Sequence, residues 1–408
     1  MNQRNLHFDN LQSNYLFSEI TKRKQAFVEK FGPEGLISLG IGDTTEPIPD
    51  SVAEKMQNYA AGLSTRDGYH GYGPYKGRED LREMIAEKFY DGRISADEVF
   101  LSDGSKPDIG RLQFLFSPEA VVAVQDPSYP VYVDASVIAG RSGRWNVERK
   151  CYEKIVYMAC RPENDFFPDL SRLPHVDLIY FCAPNNPTGA MPNYEQLQQL
   201  VDFSIKNGAV IIYDSAYACF VRSKNVPKTI FEIDGAQEVA IETSSFSKVV
   251  GFTGVRLGWT IVPASCRYAD GTKIKPYWER ILSTIFNGAS NISQEGGTAA
   301  LTDEGLSSTA FLVDFYMKNI ELLRSSLEGA GYSCHGGVDA PYLWVYWKGM
   351  SSWQAFEDLL HKKKIVATPG VGFGPAGEGF LRLTGFGHRQ QVEEAAKRLA
   401  GAIDKSPR

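Results

Sequence analysis

Ser244-Ser245-Phe246-Ser247-Lys248, continued by Gly251-Phe252-Thr253-Gly254-Val255-Arg256-Leu257-Gly258-Trp259, lies between two strand-like apolar runs, 239–243 and 256–262. A lysine amine attacks carbonyls to form Schiff bases. Ser245 and Ser247 are short hydroxyl donors, and Arg256 offers a two-pronged N–H fork of the kind that grips phosphate. Taken alone, a lysine three residues after a serine reads as a surface lysine in a flexible loop. The stretches on either side decide against that.

Upstream, strand-like runs at 99–102, 121–125, 176–182 and 210–213 alternate with helical patterns. One helix opens at Pro107, a residue suited to a first turn; another starts near Val131; a third carries Leu197, Leu200, Val201 and Ile205. Nearly continuous apolar strands in this alternation predict an α/β fold with a mostly parallel sheet covered on both faces. Such sheets bind ligands beyond the carboxyl ends of their strands. Those ends read Asp103-Gly104-Ser105-Lys106, then Asp126-Pro127-Ser128-Tyr129-Pro130, Pro184-Asn185-Asn186-Pro187-Thr188-Gly189, Asp214-Ser215-Ala216-Tyr217 and the lysine stretch. One sheet edge thus collects an anion cradle at a helix start, an aromatic on a rigid turn, an amide, a carboxylate, a phenol and a lysine. Each has an ordinary alternative: Asp214 as a turn cap, Tyr129 as packing, Asn185-Asn186-Pro187 as a plain turn. In this order they converge on pyridoxal-phosphate chemistry, in which a lysine holds the cofactor as a Schiff base.

The rest of the chain bounds the reading. At 408 residues it has ample material for two domains. Its 43 basic residues against 49 acidic ones give a net charge of -6, which argues against nucleic acid as a partner. The first ten residues are polar and no apolar run approaches membrane-spanning length, so neither a signal peptide nor a membrane partner is expected. Six scattered cysteines without a Cys-x-x-Cys pair predict reduced thiols, a cytoplasmic location and no metal site. An aromatic-punctuated arm runs to about Phe17, then a helix over 18–31 and a short strand over 36–39. The irregular Gly/Tyr-rich stretch 62–77 is a functional-loop candidate. Long helical patterns fill 276–301 and 310–327, and strands at 342–347, 365–367 and 380–384 predict a smaller α+β domain. The division placed on this is a large domain over 46–300, with 1–45 and 301–408 forming the small domain and its arm.

Asn186-Pro187-Thr188-Gly189, Asp214-x-x-Tyr217, Ser245-x-Ser247-Lys248 and Arg256 together resemble the aspartate aminotransferase family, fold type I. Asn14-Tyr15-Leu16-Phe17, Ile41-Gly42-Asp43-Thr44-Thr45, Ser102 to Lys106, Gln125 to Pro130, the lysine stretch through Trp259 and Phe286-Asn287-Gly288-Ala289-Ser290 resemble more closely the LL-diaminopimelate aminotransferases. The resemblance runs essentially end to end. It implies pyridoxal 5'-phosphate on Lys248, which then shuttles a proton; Asp214 opposite the pyridine nitrogen; Tyr217 and Asn186 on the ring oxygen; Tyr129 stacked on the ring; and Ser105, Lys106, Ser245, Ser247 and Arg256 around the phosphate. It implies Arg382 as the clamp on the substrate α-carboxylate, where composition alone allows a surface strand charge. Lys106, Tyr129, Asn186 and Asn287 would also touch substrate, and Tyr15 and Gly42 would lie near its distal end. Tyr72 and Asn287 would enter from the neighbouring subunit of a homodimer with shared sites. The implied reaction interconverts LL-diaminopimelate plus 2-oxoglutarate and tetrahydrodipicolinate plus L-glutamate, a step toward lysine and cell-wall precursors. The alternative is a general aminotransferase for aromatic or dicarboxylic amino acids. Tyr75 and Lys76 stand where this family often carries an acidic residue. A cofactor-binding regulator would need a helix-turn-helix segment ahead of the first strand, which this arm does not provide, and a carbon–sulfur lyase would use the same lysine.

Overall fold

The computed structural model describes residues 4–12 and 16–401. Its centre is a seven-stranded sheet in the order Val99–Ser102, Gly258–Ile261, Ala240–Ser245, Val210–Asp214, Leu178–Cys182, Val122–Asp126, Ile155–Ala159. Only Gly258–Ile261 runs antiparallel to its neighbours. The six strands other than the edge strand Ile155–Ala159 are buried at every residue, as expected of a sheet covered on both faces. Side chains alternate between two cores. Leu101, Ala123, Ile179, Phe181, Ile211 and Tyr213 face one, while Phe100, Val122, Val124, Tyr180 and Ile212 face the other.

A second sheet is four-stranded and antiparallel, in the order Ser333–Gly336, Tyr342–Tyr346, Phe380–Thr384, Thr368–Pro369. The early strand is short, Ile37–Ser38, and pairs in parallel with Ile365–Val366. Together with the helices Leu16–Phe31, Asp303–Gly329, Ser352–Lys363 and Arg389–Ala400, these strands build a third core that also receives Tyr217 and Phe220 from the central-sheet side. Among the described residues no helix is long and apolar enough to cross a membrane.

Two local expectations are corrected. The helix expected to open at Pro107 spans Ser105–Leu112, with Gly104 as its cap at φ 124°. That backbone is open to glycine, so the chain turns into the helix two residues sooner. The single helical pattern 276–301 is two helices, Lys275–Ile285 and Asn291–Ala300. The break falls where Asn287 and Gly288 take φ 65° and 102°. The arm forms a short 3₁₀ turn, Leu6–Asn10, tied down by Asn5 Nδ2 donating to the Ile138 carbonyl and Tyr152 Oη donating to the Asn10 carbonyl.

Candidate active site

The Ala240–Ser245 strand ends directly in a single helical turn, Phe246–Val249, capped by Ser245 Oγ accepting from the Ser247 N–H at 3.0 Å. Ser245 Oγ also donates to Ser247 Oγ at 2.8 Å, and Arg256 Nη1 donates to Ser247 Oγ at 3.3 Å. The turn aims Lys248 across the sheet edge, where Nζ donates to the Gly42 carbonyl and sits 5.0 Å from the centre of the Phe386 ring. Burial disfavours the ammonium form and brings this amine down to about 8, Asp43 opposing the shift. A larger share of free base at neutral pH is what a nucleophilic lysine needs.

Beside it, Ser105 opens a helix, and its buried hydroxyl has no hydrogen-bond partner among the described residues. Gly104 lets the Arg256 guanidinium approach the same helix start; a Cβ there would meet Nη2 at 2.4 Å. An orphan hydroxyl, a helix N-terminus, two serines and an arginine make a cradle for a phosphate dianion.

Asp214 ends the next strand and is 5% exposed. Burial raises its pKa; the hydroxyl of Tyr132, donating to Oδ2 at 2.7 Å, and the Ala216 N–H, at 3.1 Å from Oδ1, oppose the rise. Tyr132 lies flat against Tyr180, with ring centres 5.1 Å apart, so the donor is held by packing. At the far side Arg382 is only 1% exposed, which overturns the surface-charge alternative. Its Nη1 donates to Asn186 Oδ1 and its Nη2 to the Gly40 carbonyl, both at 2.6 Å. Its Nε is buried without a partner, and no carboxylate pairs with it among the described residues. A buried, uncompensated guanidinium is costly, and a carboxylate ligand would relieve it.

These groups line one cavity of about 430 Å³, which brings together Gly42, Ser105, Lys106, Tyr129, Asn186, Asp214, Tyr217, Ser245, Ser247, Lys248, Arg256 and Arg382. Gly42 lines the cavity with its carbonyl accepting from the Lys248 amine. Tyr72 and Asn287 do not line the cavity, and Tyr72 is 94% exposed. Tyr15 lies outside the described residues. Lys76 does not line the cavity and forms ion pairs with Asp97 at 2.8 Å and Glu279 at 2.6 Å. Further lining residues that the reading of the sequence gave no site role include Phe17, Tyr132, Thr253 and Tyr342. Tyr132 follows Tyr129 at helical spacing, which was a usable signal. Tyr342 opens a strand of the second sheet, and nothing local marks it.

The family model for class I and II aminotransferases matches residues 34–399. The chain belongs to the class I and II aminotransferase family. This aminotransferase is 53% identical over 405 residues to an LL-diaminopimelate aminotransferase of Protochlamydia amoebophila (strain UWE25), covering 99% of this chain and 98% of that one. It is 52% identical over 397 residues to a chloroplastic LL-diaminopimelate aminotransferase of Arabidopsis thaliana, covering 97% and 86% respectively. The solved L,L-diaminopimelate aminotransferase from Chlamydomonas reinhardtii superposes with a TM-score of 0.93 at 51% identity over 97% of both chains. The aminotransferase therefore has the fold type I architecture, and its class is generally pyridoxal-phosphate-dependent. The residues present fit that cofactor: the orphan Ser105 hydroxyl and the Arg256 fork suit the phosphate, and buried Asp214 suits a ring cation.

Proposed function

We propose that this aminotransferase binds pyridoxal 5'-phosphate in the 430 Å³ cavity and interconverts LL-diaminopimelate plus 2-oxoglutarate with tetrahydrodipicolinate plus L-glutamate, as a cytoplasmic homodimer in lysine and cell-wall precursor synthesis. The observation that carries the reading is the placement of Lys248, Asp214 and Arg382 around one cavity, in a chain 53% identical end to end to an LL-diaminopimelate aminotransferase.

When bound, the cofactor supplies an aldehyde for amines and an electron-withdrawing ring. Lys248 would hold it covalently and, once released, its Nζ would take and return the proton at the substrate α-carbon. Asp214, hydrogen-bonded by Tyr132 and the Ala216 N–H, would hold a proton on the ring nitrogen. Ser105, Ser245, Ser247 and Arg256 would anchor the phosphate, with Lys106 adding charge beside it. Asn186 spends its carbonyl oxygen on Arg382, so its amide N–H groups are left to face the ring oxygen alongside Tyr217. Arg382 would orient the α-carboxylate through its fork. Tyr129 would cover the ring face, which excludes water from the reacting carbon.

An amino-donor panel with 2-oxoglutarate tests the substrate. The LL isomer should exceed the meso isomer by roughly 10⁴-fold in kcat/KM, since inverting one centre mispairs a charged group at the distal end. Equal use of both would remove the stereochemical claim. Activity confined to aromatic or dicarboxylic donors would establish the general aminotransferase instead.

The exposed Tyr72 and Asn287 fit a site completed by a second copy. Lys248→Ala and Tyr72→Ala homodimers should each be nearly inactive, and subunit exchange should restore activity, because one site of the mixed dimer then carries neither lesion. Demonstrated exchange without recovery would place Tyr72 in its own subunit's site or outside any site.

A further inference from the structure

Tyr342 occupies a position that links both ends of this cavity. It is fully buried, and its hydroxyl lies 2.6 Å from the Tyr217 hydroxyl. Its ring lies 4.6 Å from the Arg382 guanidinium carbon, which is also 4.9 Å from the centre of the Phe373 ring. It also dictates what can stand at residue 42, because a Cβ on Gly42 would come 2.2 Å from the Tyr342 hydroxyl oxygen and 3.2 Å from Cζ. The two tyrosine hydroxyls hold one proton each, and burial pushes both pKa values up, so both stay protonated. If Tyr217 spends its proton on Tyr342, it has none to offer a ligand. If Tyr342 donates to Tyr217, the Tyr217 proton is directed into the cavity, and the chained bond makes it a stronger donor.

We propose that Tyr342 is a positioning residue for this reaction: its hydroxyl donates to Tyr217 so that Tyr217 donates to the cofactor's ring oxygen, and its ring keeps the Arg382 fork flat for the α-carboxylate. The proposal rests on the cofactor reading above. It divides the side chain into two separable functions. The hydroxyl acts on the cofactor, and the ring acts on substrate affinity through cation–π contact and packing.

The test is a pH titration of the visible absorbance of the holoenzyme, with steady-state kinetics alongside. A donor on the ring oxygen favours the deprotonated form of the cofactor–lysine linkage, so weakening it moves the midpoint upward. Tyr342→Phe should raise the midpoint by roughly half to one pH unit, with KM for the amino donor changed less than about threefold. Asp43, Arg382, Cys219 and Arg256, the charged or titratable groups that act on Lys248, are unchanged in that variant. Tyr342→Leu should also raise KM by about tenfold. Gly42→Ala should shift the midpoint upward by displacing the hydroxyl, and should add little once Tyr342→Phe is present. A wild-type midpoint in Tyr342→Phe, in a protein with unchanged thermal unfolding, overturns the hydroxyl's role, and an unchanged KM in Tyr342→Leu overturns the ring's. A wild-type protein with no pH-sensitive visible band overturns the cofactor reading itself.

Discussion

Lys248→Ala should lower kcat by on the order of 10⁵-fold, the scale seen when an enzyme's covalent nucleophile is removed. The amine is held on the Gly42 carbonyl at the Phe386 ring, aimed across the end of the central sheet. Every other group around it is positioned to hold, not to react: Arg256 and the serines form an anion cradle, and Arg382 is tied to Asn186 and Gly40. Borohydride reduction of the wild-type protein loaded with pyridoxal phosphate should leave the cofactor on the peptide containing Lys248, and the alanine variant should retain none there. A variant turning over within tenfold of wild type, or a cofactor fixed on another lysine, would dismiss the central assignment. Truncation at the half-buried Lys248 leaves the cores intact, so folding should be preserved.

Replacement of Asp214 should have the next largest effect, about 10³-fold or more, and nearly all of it in kcat. The carboxylate sits in a dry environment in which burial opposes its charge. Tyr132 and the Ala216 N–H favour that charge, so the protein keeps the site ready for a cation. A ring nitrogen that keeps its proton withdraws electrons most when negative charge builds on the substrate, which is a transition-state effect. Asp214→Asn retains a hydrogen-bond acceptor for Tyr132 and removes only the charge. Asp214→Ala also strands the Tyr132 hydroxyl, adding a stability loss of about 1–3 kcal/mol. Comparing the two by steady-state kinetics and denaturant unfolding separates charge from packing. A change confined to KM in the asparagine variant would mean that the carboxylate does not face the ring nitrogen.

The residues concerned differ in how they could be found. Ser105, Tyr129, Asn186, Asp214 and Lys248 all lie at or just past the ends of strands in the central sheet. A parallel sheet delivers its strand ends to one edge, so an apolar run followed by a polar turn was enough to collect them. The composition of most runs also matched the sheet's burial; the exception is Ala240–Ser245, where buried Glu242 is satisfied by Tyr90, Ser215 and Thr229. Helix starts were less legible. Pro107 suggested one boundary, but the glycine conformation at Gly104 put it two residues earlier.

Read without its partners in space, the chain establishes an α/β protein with a lysine, a carboxylate and a phosphate cradle at one sheet edge. Tertiary structure decides how that edge is closed. Lys248 meets Gly42 across 206 residues, Tyr217 meets Tyr342 across 125, and Arg382 reaches Asn186 across 196 and Gly40 across 342. Lys76 shows the same dependence: it stands where the family often carries an acidic residue, and its charge is taken up by Asp97 and Glu279, 21 and 203 positions further along the chain. Periodicity and turn chemistry act over a few residues and can be read from order alone. Which buried hydroxyl finds a partner, and which guanidinium is left without a carboxylate, depends on packing between elements far apart in the chain. Asp214 and Lys248 were therefore legible as chemistry, whereas Tyr342, which orients that chemistry from a strand of the second sheet, became visible only once the two sheets were docked.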